Sequence, residues 1–330
     1  MSTEVKSLHD DLLSQFVAGN QPLDGKSVSL TFVRVLNVSP GAKCISIECT
    51  YKDQPAILVL EKTAFEEEVT KQIASNFGEV LENVKNIFRN DIYGSYLMDI
   101  SLKDVEKNNI NKIAIRIIHP ATQRDIEKYM NHPYFFVFET ADLYKTVTKP
   151  FIEKLVTTPG HLQWVYNILE HKKEVDRIVY EENIDNENGF ILVKDMKWKI
   201  DKEVLSDLEK LEIYINAFVV RRDLHSLRDL NQDHLPLLEG IFTRGRKAIA
   251  EKFSLDEKEL RAFIHYQPSF YHLHVHFTHI KSEHPSSQTE RAHMLSSVIE
   301  NIRLMGDYYQ KVGIEFPLSN SHELKREQFQ

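Results

Sequence analysis

Apolar and polar residues alternate with a period of two along several stretches before residue 130, which is typical of strands with one buried face. This pattern predicts strands at residues 28–38, 43–51, 92–98 and 112–118, and the continuous apolar run at 56–60 predicts a central strand. From Phe65 to Phe77 the apolar residues instead recur every four positions, and Thr63 with Glu66 forms a capping box before them. We therefore predict a helix that ends at Gly78, a second helix at 122–130, and a small α+β unit.

The pattern between residues 141 and 155 is helical but contains Pro150, and Pro159-Gly160 follows. Because proline interrupts a helix, a domain junction is predicted here. Beyond it, the pattern predicts helices at 161–169 and 235–252 and strands at 177–180, 190–193, 211–220, 261–266 and 271–279. Ser287 and Glu290 form another capping box, which predicts a helix that runs through Ile302.

These elements predict an α+β protein with two domains. The predicted divisions are a flexible segment at residues 1–26, a smaller first domain at 27–140, a hinge at 141–159, and a second domain with an antiparallel sheet and helices at 160–330.

The segment 272–276 reads His-Leu-His-Val-His, and on a strand its three histidines share one face while the apolar residues between them enter a core. His265, on the preceding predicted strand, adds a fourth histidine. Neighbouring histidines would lie about 6.6 Å apart and the outer pair about 13 Å apart, which makes one Zn²⁺ bound by all three difficult. The residues alone leave three interpretations: a metal site, surface histidines, or nucleophilic chemistry on phosphorus, for which a neutral imidazole is well suited.

Composition narrows the class of protein. The 41 Lys and Arg against 49 Asp and Glu give a formal charge of −8, so the chain is a poor general binder of long nucleic acid. The two cysteines, Cys44 and Cys49, fall on opposite faces of a predicted strand, which favours a reducing compartment without a disulfide. No signal peptide and no membrane-spanning run is evident, so we expect an intracellular protein without a membrane partner.

Several segments together resemble one family, the scavenger mRNA-decapping enzymes (m7GpppX diphosphatases) of the histidine-triad superfamily. The likeness runs from about residue 28 to 320, and the segments that carry it are 90–93, 162–169, 176–179, 195–198 and 264–276. The resemblance implies a C-terminal histidine-triad domain, and a homodimer whose N-terminal domains exchange strands and swing over the active sites.

The resemblance also implies roles for individual residues. His274 would be the nucleophile, and His265, His272 and His276 would bind phosphate oxygens or assist the leaving group. Trp164 would stack on the methylated guanine, whose positive charge suits an indole face. The other expected substrate contacts are Glu174 at the base edge, Asp195 and Lys197 at the ribose, base or phosphate, Ser269 and Arg291 at phosphate, and Asn90, Tyr93 and Lys128 of the first domain closing over the substrate. Arg291 is expected in the first turn of the helix opened by Ser287, where the helix dipole favours phosphate.

The implied activity is hydrolysis of m7GpppN and short capped RNA fragments after 3'-to-5' mRNA decay, with release of 7-methyl-GMP through a covalent histidine intermediate. No metal and no cofactor is expected, and the implied location is both cytoplasm and nucleus. The alternatives are a general histidine-triad hydrolase of dinucleoside polyphosphates or phosphoramidates, and a catalytically silent cap-binding regulator.

Two residues depart from the family pattern. Lys194 stands where proline is common, which adds a charge beside Asp195. Phe270 stands where tyrosine is common, so a hydroxyl that could bind substrate is lost.

Overall fold

The computed structural model describes residues 29–329, apart from 64, 66, 79–80, 91, 101–112, 197, 199, 201, 203 and 285–286. The predicted flexible segment at residues 1–26 lies outside the described residues. The chain forms two compact units, one up to Asn131 and one from His132 onward. This division precedes the predicted end of the first domain at residue 140, and the predicted limits of the hinge stay a prediction.

An antiparallel sheet in the order β1-β2-β3-β6 forms the centre of the first unit. Its strands are β1 Thr31–Ser39, β2 Cys44–Tyr51, β3 Gln54–Lys62 and β6 Ile113–Ile118. The other described elements are α1 Glu67–Ser75, the hairpin of β4 Leu81–Asn90 with β5 Tyr93–Ile100, and α2 Gln123–Tyr129. The predicted α+β character is confirmed, although β4 was not predicted.

The second unit is built on a six-stranded antiparallel sheet in the order β13-β11-β12-β10-β9-β8. Its strands are β8 Ile178–Glu182, β9 Phe190–Lys194, β10 Tyr214–Val219, β11 Leu260–His265, β12 His274–His279 and β13 Ala292–Met294. A two-stranded ribbon of β7 Tyr134–Glu139 and β14 Ile314–Ser319 lies in the same unit. β7 therefore pairs within the second unit, although its residues precede the predicted hinge.

Helices of the second unit are short. They are α3 Ala141–Leu143, α4 Lys149–Val156, α5 Gln163–Leu169, α6 Asp207–Lys210, α7 Leu235–Gly240, α8 Arg246–Phe253, α9 Leu295–Leu304 and α10 Tyr308–Lys311, with 3₁₀ turns at Val175–Arg177, Leu227–Asp229, Gln232–His234, Glu257–Glu259 and Arg326–Phe329. A π-helical turn at Tyr144–Thr148 joins α3 to α4 just before Pro150, whose ring does not fit a regular α-helical turn. A second one, at Ile241–Gly245, joins α7 to α8. No helix in the described part of the chain is both long and apolar enough to span a bilayer.

The start of the helix predicted from the capping box at Ser287 is wrong, although the helix itself is present and its predicted apolar face, which includes Val298 and Ile302, is buried. Residues 292–294 form β13, which pairs with β11, and the helix α9 begins only at Leu295. Sheet pairing has therefore overridden the local capping signal.

The two faces of the six-stranded sheet pack against different layers. One face sends Ile215, Val275 and Phe277 into the main core of the unit. On the other face, Phe218 packs in a smaller apolar cluster with Val165 and Ile168 of α5. Residues paired across neighbouring strands share a face of the sheet. His276 pairs with Asn216 and His274 pairs with Phe218, so both histidines lie on this second face.

Candidate active site

Four buried histidines lie on or beside two neighbouring strands. His265 ends β11, and His274 and His276 share one face of β12. His272 precedes β12, so the predicted strand is shorter than expected and does not carry all three alternating histidines. All four are at most 7% exposed, so the interpretation as surface histidines is wrong.

The ring of His274 is fixed by a backbone group. Its Nδ1 donates a hydrogen bond to the carbonyl oxygen of His272 at 2.7 Å. A carbonyl only accepts, so the hydrogen of the neutral imidazole lies on Nδ1 and the lone pair lies on Nε2. The residue predicted to be the nucleophile therefore has the tautomer that a nucleophile requires.

His265 and His276 lie close to that ring. The centroids of His274 and His276 are 4.7 Å apart, and those of His265 and His276 are 4.2 Å apart. The hydroxyl of Tyr214 lies 3.3 Å from Nδ1 of His276, and the ring of Phe263 stacks on His276 at 5.2 Å. Three imidazoles thus form one cluster, close enough together to contact a single phosphate group.

His272 has a different environment. Its Nε2 donates to the carbonyl oxygen of Val219 at 2.8 Å, and its Nδ1 is buried. Burial lowers the pKa of His272 to about 4, so the ring is neutral at physiological pH. The carbonyl oxygen of His272 orients the ring of His274, and the predicted contact of His272 with phosphate stays a prediction.

Aromatic rings cover His274 on one side. Phe270 stacks on His274 with centroids 4.2 Å apart and an interplanar angle of 12°, and the edge of Phe270 meets Trp164 at 4.8 Å. Trp164 is 40% exposed on α5, whereas its neighbour Val165 is fully buried. An indole at this exposure does not serve as a core residue, so it can offer a face to a ligand.

Asp195 is held next to the histidines by a residue that sequence analysis missed. Asn216 lies opposite His276 on β10, is 7% exposed, and donates its side-chain amide to Oδ2 of Asp195 at 2.7 Å. Because a carboxylate oxygen accepts, this contact fixes the orientation of the amide. Strand β10 is buried throughout, and Asn216 is the amide side chain among its mostly apolar residues. That exception in the sequence is the signal that could have indicated this role.

Metal ligation receives no geometric support from these residues. Within the ranges that the structure describes, no group of three His, Cys, Asp or Glu side chains has an arrangement that could hold a metal ion.

Comparison with known proteins gives the family. A family model described as "Scavenger mRNA decapping enzyme (DcpS) N-terminal" matches residues 28–132, and one described as "Scavenger mRNA decapping enzyme C-term binding" matches residues 163–292. The chain is 41% identical over 272 residues to the m7GpppX diphosphatase of Ascaris suum, covering 82% of this chain and 83% of that protein. The chain belongs to the scavenger mRNA decapping enzyme family.

Other relatives agree. The m7GpppX diphosphatase of Homo sapiens is 38% identical over 265 residues, 80% of this chain and 72% of its own. That of Schizosaccharomyces pombe is 35% identical over 295 residues, 89% of this chain and 92% of its own. The resemblance seen in the sequence is therefore confirmed, and every predicted site residue falls within the ranges matched by the scavenger decapping family models.

Three more predicted contacts of this decapping-family chain lie in the second unit. Glu174 has a left-handed backbone with φ 57°, and its Oε2 lies 3.4 Å from Nη1 of Arg177. Ser269 is exposed in the connection before Phe270. Arg291 lies before β13, not in a helical turn, so the predicted support from a helix dipole is wrong. Its carbonyl oxygen accepts from the backbone N–H of Tyr266, the residue after His265, at 2.9 Å.

Of the four remaining predicted contacts, three belong to the first unit and one lies outside the described residues. Lys197 lies outside the described residues. Asn90 ends β4 and pairs in register with Tyr93 at the start of β5, and Lys128 is an exposed residue of α2. That these first-unit residues close over a substrate stays a prediction.

Proposed function

We propose that this scavenger decapping enzyme hydrolyses the 5'–5' triphosphate bridge of m7GpppN and of short capped RNA fragments left by 3'-to-5' mRNA decay. The observation that carries the proposal is the tautomer of His274, which directs the lone pair of Nε2 away from the His272 carbonyl. The printed name of the curated relatives, m7GpppX diphosphatase, supports the substrate class.

In the proposed first step, Nε2 of His274 attacks the phosphorus nearest the methylated guanosine. The bond from that phosphorus to the bridging oxygen breaks, and a nucleoside diphosphate or diphosphate-ended RNA leaves with the electron pair. His265 or His276 is close enough to His274 to protonate the leaving oxygen. Water then hydrolyses the nitrogen–phosphorus bond and releases 7-methyl-GMP, which divides one difficult displacement into two easier ones.

The proposed cap contacts extend from the histidines toward α5. The exposed indole of Trp164 would stack on the cationic base, and Glu174 would accept hydrogen bonds from the base edge. Asp195, held by Asn216, would bind the ribose, while Ser269 and Arg291 would contact phosphate.

The decisive test is turnover of m7GpppG and ApppA side by side, with and without a chelator. We expect 7-methyl-GMP and GDP from m7GpppG at a rate that the chelator does not change, and little turnover of ApppA. Similar turnover of ApppA would favour a general histidine-triad hydrolase, and tight cap binding without turnover would favour a silent regulator.

We further propose that the protein is a homodimer with exchanged N-terminal strands. Supporting this, the β4–β5 hairpin is a lone two-stranded ribbon within the described residues and exposes several large apolar side chains: Val84, Ile87, Phe88, Tyr93, Tyr96 and Leu97. Such a hairpin is marginal on its own, and exposed apolar clusters mark interfaces. Light scattering should give twice the monomer mass, and a monomeric mass would contradict the proposal.

On the family resemblance alone, we also propose that the protein occurs in both cytoplasm and nucleus. Imaging of a tagged chain would test this.

A further inference from the structure

Phe270 presents the face of its ring to the face of the His274 imidazole. The two centroids are 4.2 Å apart and the planes differ by 12°. Other rings near His274 meet it differently, since Phe218 is tilted by 41° at 6.0 Å and His276 is nearly perpendicular. Phe270 is therefore the ring whose π electrons lie over the imidazole.

The proposed reaction places a charge on that imidazole. When the lone pair of Nε2 forms the bond to phosphorus, Nδ1 keeps the hydrogen that it donates to the His272 carbonyl. The phosphorylated ring then carries one positive charge, until water cleaves the nitrogen–phosphorus bond and the neutral ring returns. A cation within about 6 Å of an aromatic centroid, over its face, is stabilised by the ring quadrupole.

We propose that Phe270 is a further catalytic residue, whose ring face stabilises the positive charge that develops on His274 as the covalent intermediate forms. This inference rests on the proposed function, because it takes His274 as the nucleophile. It also gives a reason why phenylalanine can stand where a tyrosine is common: the interaction needs the ring and not the hydroxyl.

The ring face makes the interaction sensitive to electron withdrawal. Fluorine atoms on the ring weaken the negative face while they change the shape little. A desolvated cation–π contact implies a loss of about 2- to 30-fold in the rate of intermediate formation when the face is removed.

The experiment replaces Phe270 with phenylalanines that carry one, two and three fluorine atoms, in the full-length protein. Single-turnover rates with m7GpppG are measured by rapid base quench, which preserves a nitrogen–phosphorus bond. We expect the logarithm of the rate of intermediate formation to fall with each fluorine. The matched control is the same series at Phe218, which belongs to the same aromatic cluster but is tilted from His274, and there we expect no trend.

Conventional variants give a second measurement. Phe270→Tyr should keep the single-turnover rate, and Phe270→Leu should lower it at an unchanged melting temperature. A flat fluorine series at Phe270, or equal trends at both positions, would overturn the proposal.

The same quench separates this inference from the proposed function. Trapped 7-methyl-GMP on His274 together with a flat series would remove only the role of Phe270. If no covalent adduct forms on His274 while m7GpppG is consumed, the nucleophile assignment and the role of Phe270 both fail.

Discussion

The carbonyl oxygen of His272 lies 2.7 Å from Nδ1 of His274, so the first two histidines of the alternating segment are joined through the backbone of one and the ring of the other. This contact needs the His272 backbone and not its imidazole. The imidazole is itself anchored to the carbonyl of Val219. For the two histidines we therefore propose separate roles, His274 in the chemistry and His272 in its support, and each proposed role leads to its own prediction.

His274→Asn should lower kcat by at least about 10³-fold, because the side chain that forms the covalent bond is gone, while cap binding changes little. Release of 7-methyl-GMP and calorimetric binding of m7GpppG measure the two effects. His279→Asn is a matched control, because His279 is also buried on β12 but does not belong to the histidine cluster. Its Nε2 lies near the carboxylate of Glu259, and its Nδ1 accepts from the backbone N–H of Lys281. Turnover that survives in the His274 variant would contradict the assignment.

His272 should make the protein less stable in acid. Desolvation by burial is the main cause that lowers its pKa from 6.5 to about 4, with smaller contributions from His225 and Arg222. The unfolded chain therefore takes up the proton first, so the stabilisation is complete above about pH 6.5 and is lost as the pH falls toward 4. The expected loss is about 3 kcal/mol over that window.

His272→Gln removes the titrating group but keeps a donor for the Val219 carbonyl. Urea unfolding at several pH values should give a shallower pH dependence for this variant than for the wild type. Equal slopes would show that the ring does not titrate as its burial implies. Other histidines with lowered pKa, such as His293, contribute equally to both proteins and cancel in the difference.

The fold could be predicted from the sequence where local pattern and pairing agree. The alternation in residues 43–51 gave β2 to within one residue at its start. By contrast, β4 was missed because its register shifts twice against β5, between Glu82 and Lys85 and between Asn86 and Phe88. Each shift inserts residues into one strand and breaks the period of two.

The start of the helix predicted from the capping box at Ser287 was wrong for a complementary reason, although the helix itself is present. The capping box is a local signal, and it stabilises a helix start less than strand pairing stabilises β13, where His293 pairs with Ile264 in the main sheet. A pairing between residues so far apart in sequence cannot be read from one chain alone.

The candidate site shows the same limit. The spacing of the histidines indicated phosphorus chemistry as one of three interpretations, and His265, His274 and His276 lie together in the structure. The hydrogen bond from His272 to the Val219 carbonyl, and the one from Asn216 to Asp195, depend on strand register, which sequence spacing does not specify.

Trp164→Ala should weaken binding of m7GpppG by about 10-fold more than binding of GpppG, because only the methylated base is a cation. The alanine variant also loses the contact between Trp164 and Phe270, but this loss affects binding of both ligands alike. The difference between the two affinity losses therefore reports the effect of the positive charge on the methylated base. Binding is measured in the His274→Asn background, which prevents turnover. Trp164→Phe is the control and should retain part of the preference, whereas equal weakening of both caps by the alanine variant would contradict the cation–π contact.

Arg228 and Glu139 form an ion pair with fully buried side chains, Nη2 to Oε1 at 2.8 Å. Arg228 also donates to three backbone carbonyls, and the hydroxyls of Thr148 and Tyr266 donate to Glu139. Removal of one partner leaves the other charge buried, so Arg228→Met and Glu139→Gln should each cost about 3–5 kcal/mol in the free energy of unfolding. The double variant should cost clearly less than the sum, since no unpaired charge remains. The glutamine oxygen can accept from one of the two hydroxyls, and its amide N–H can donate to the oxygen of the other. Denaturant unfolding of the four proteins tests this, and strictly additive losses would mean that the two charges do not stabilise each other.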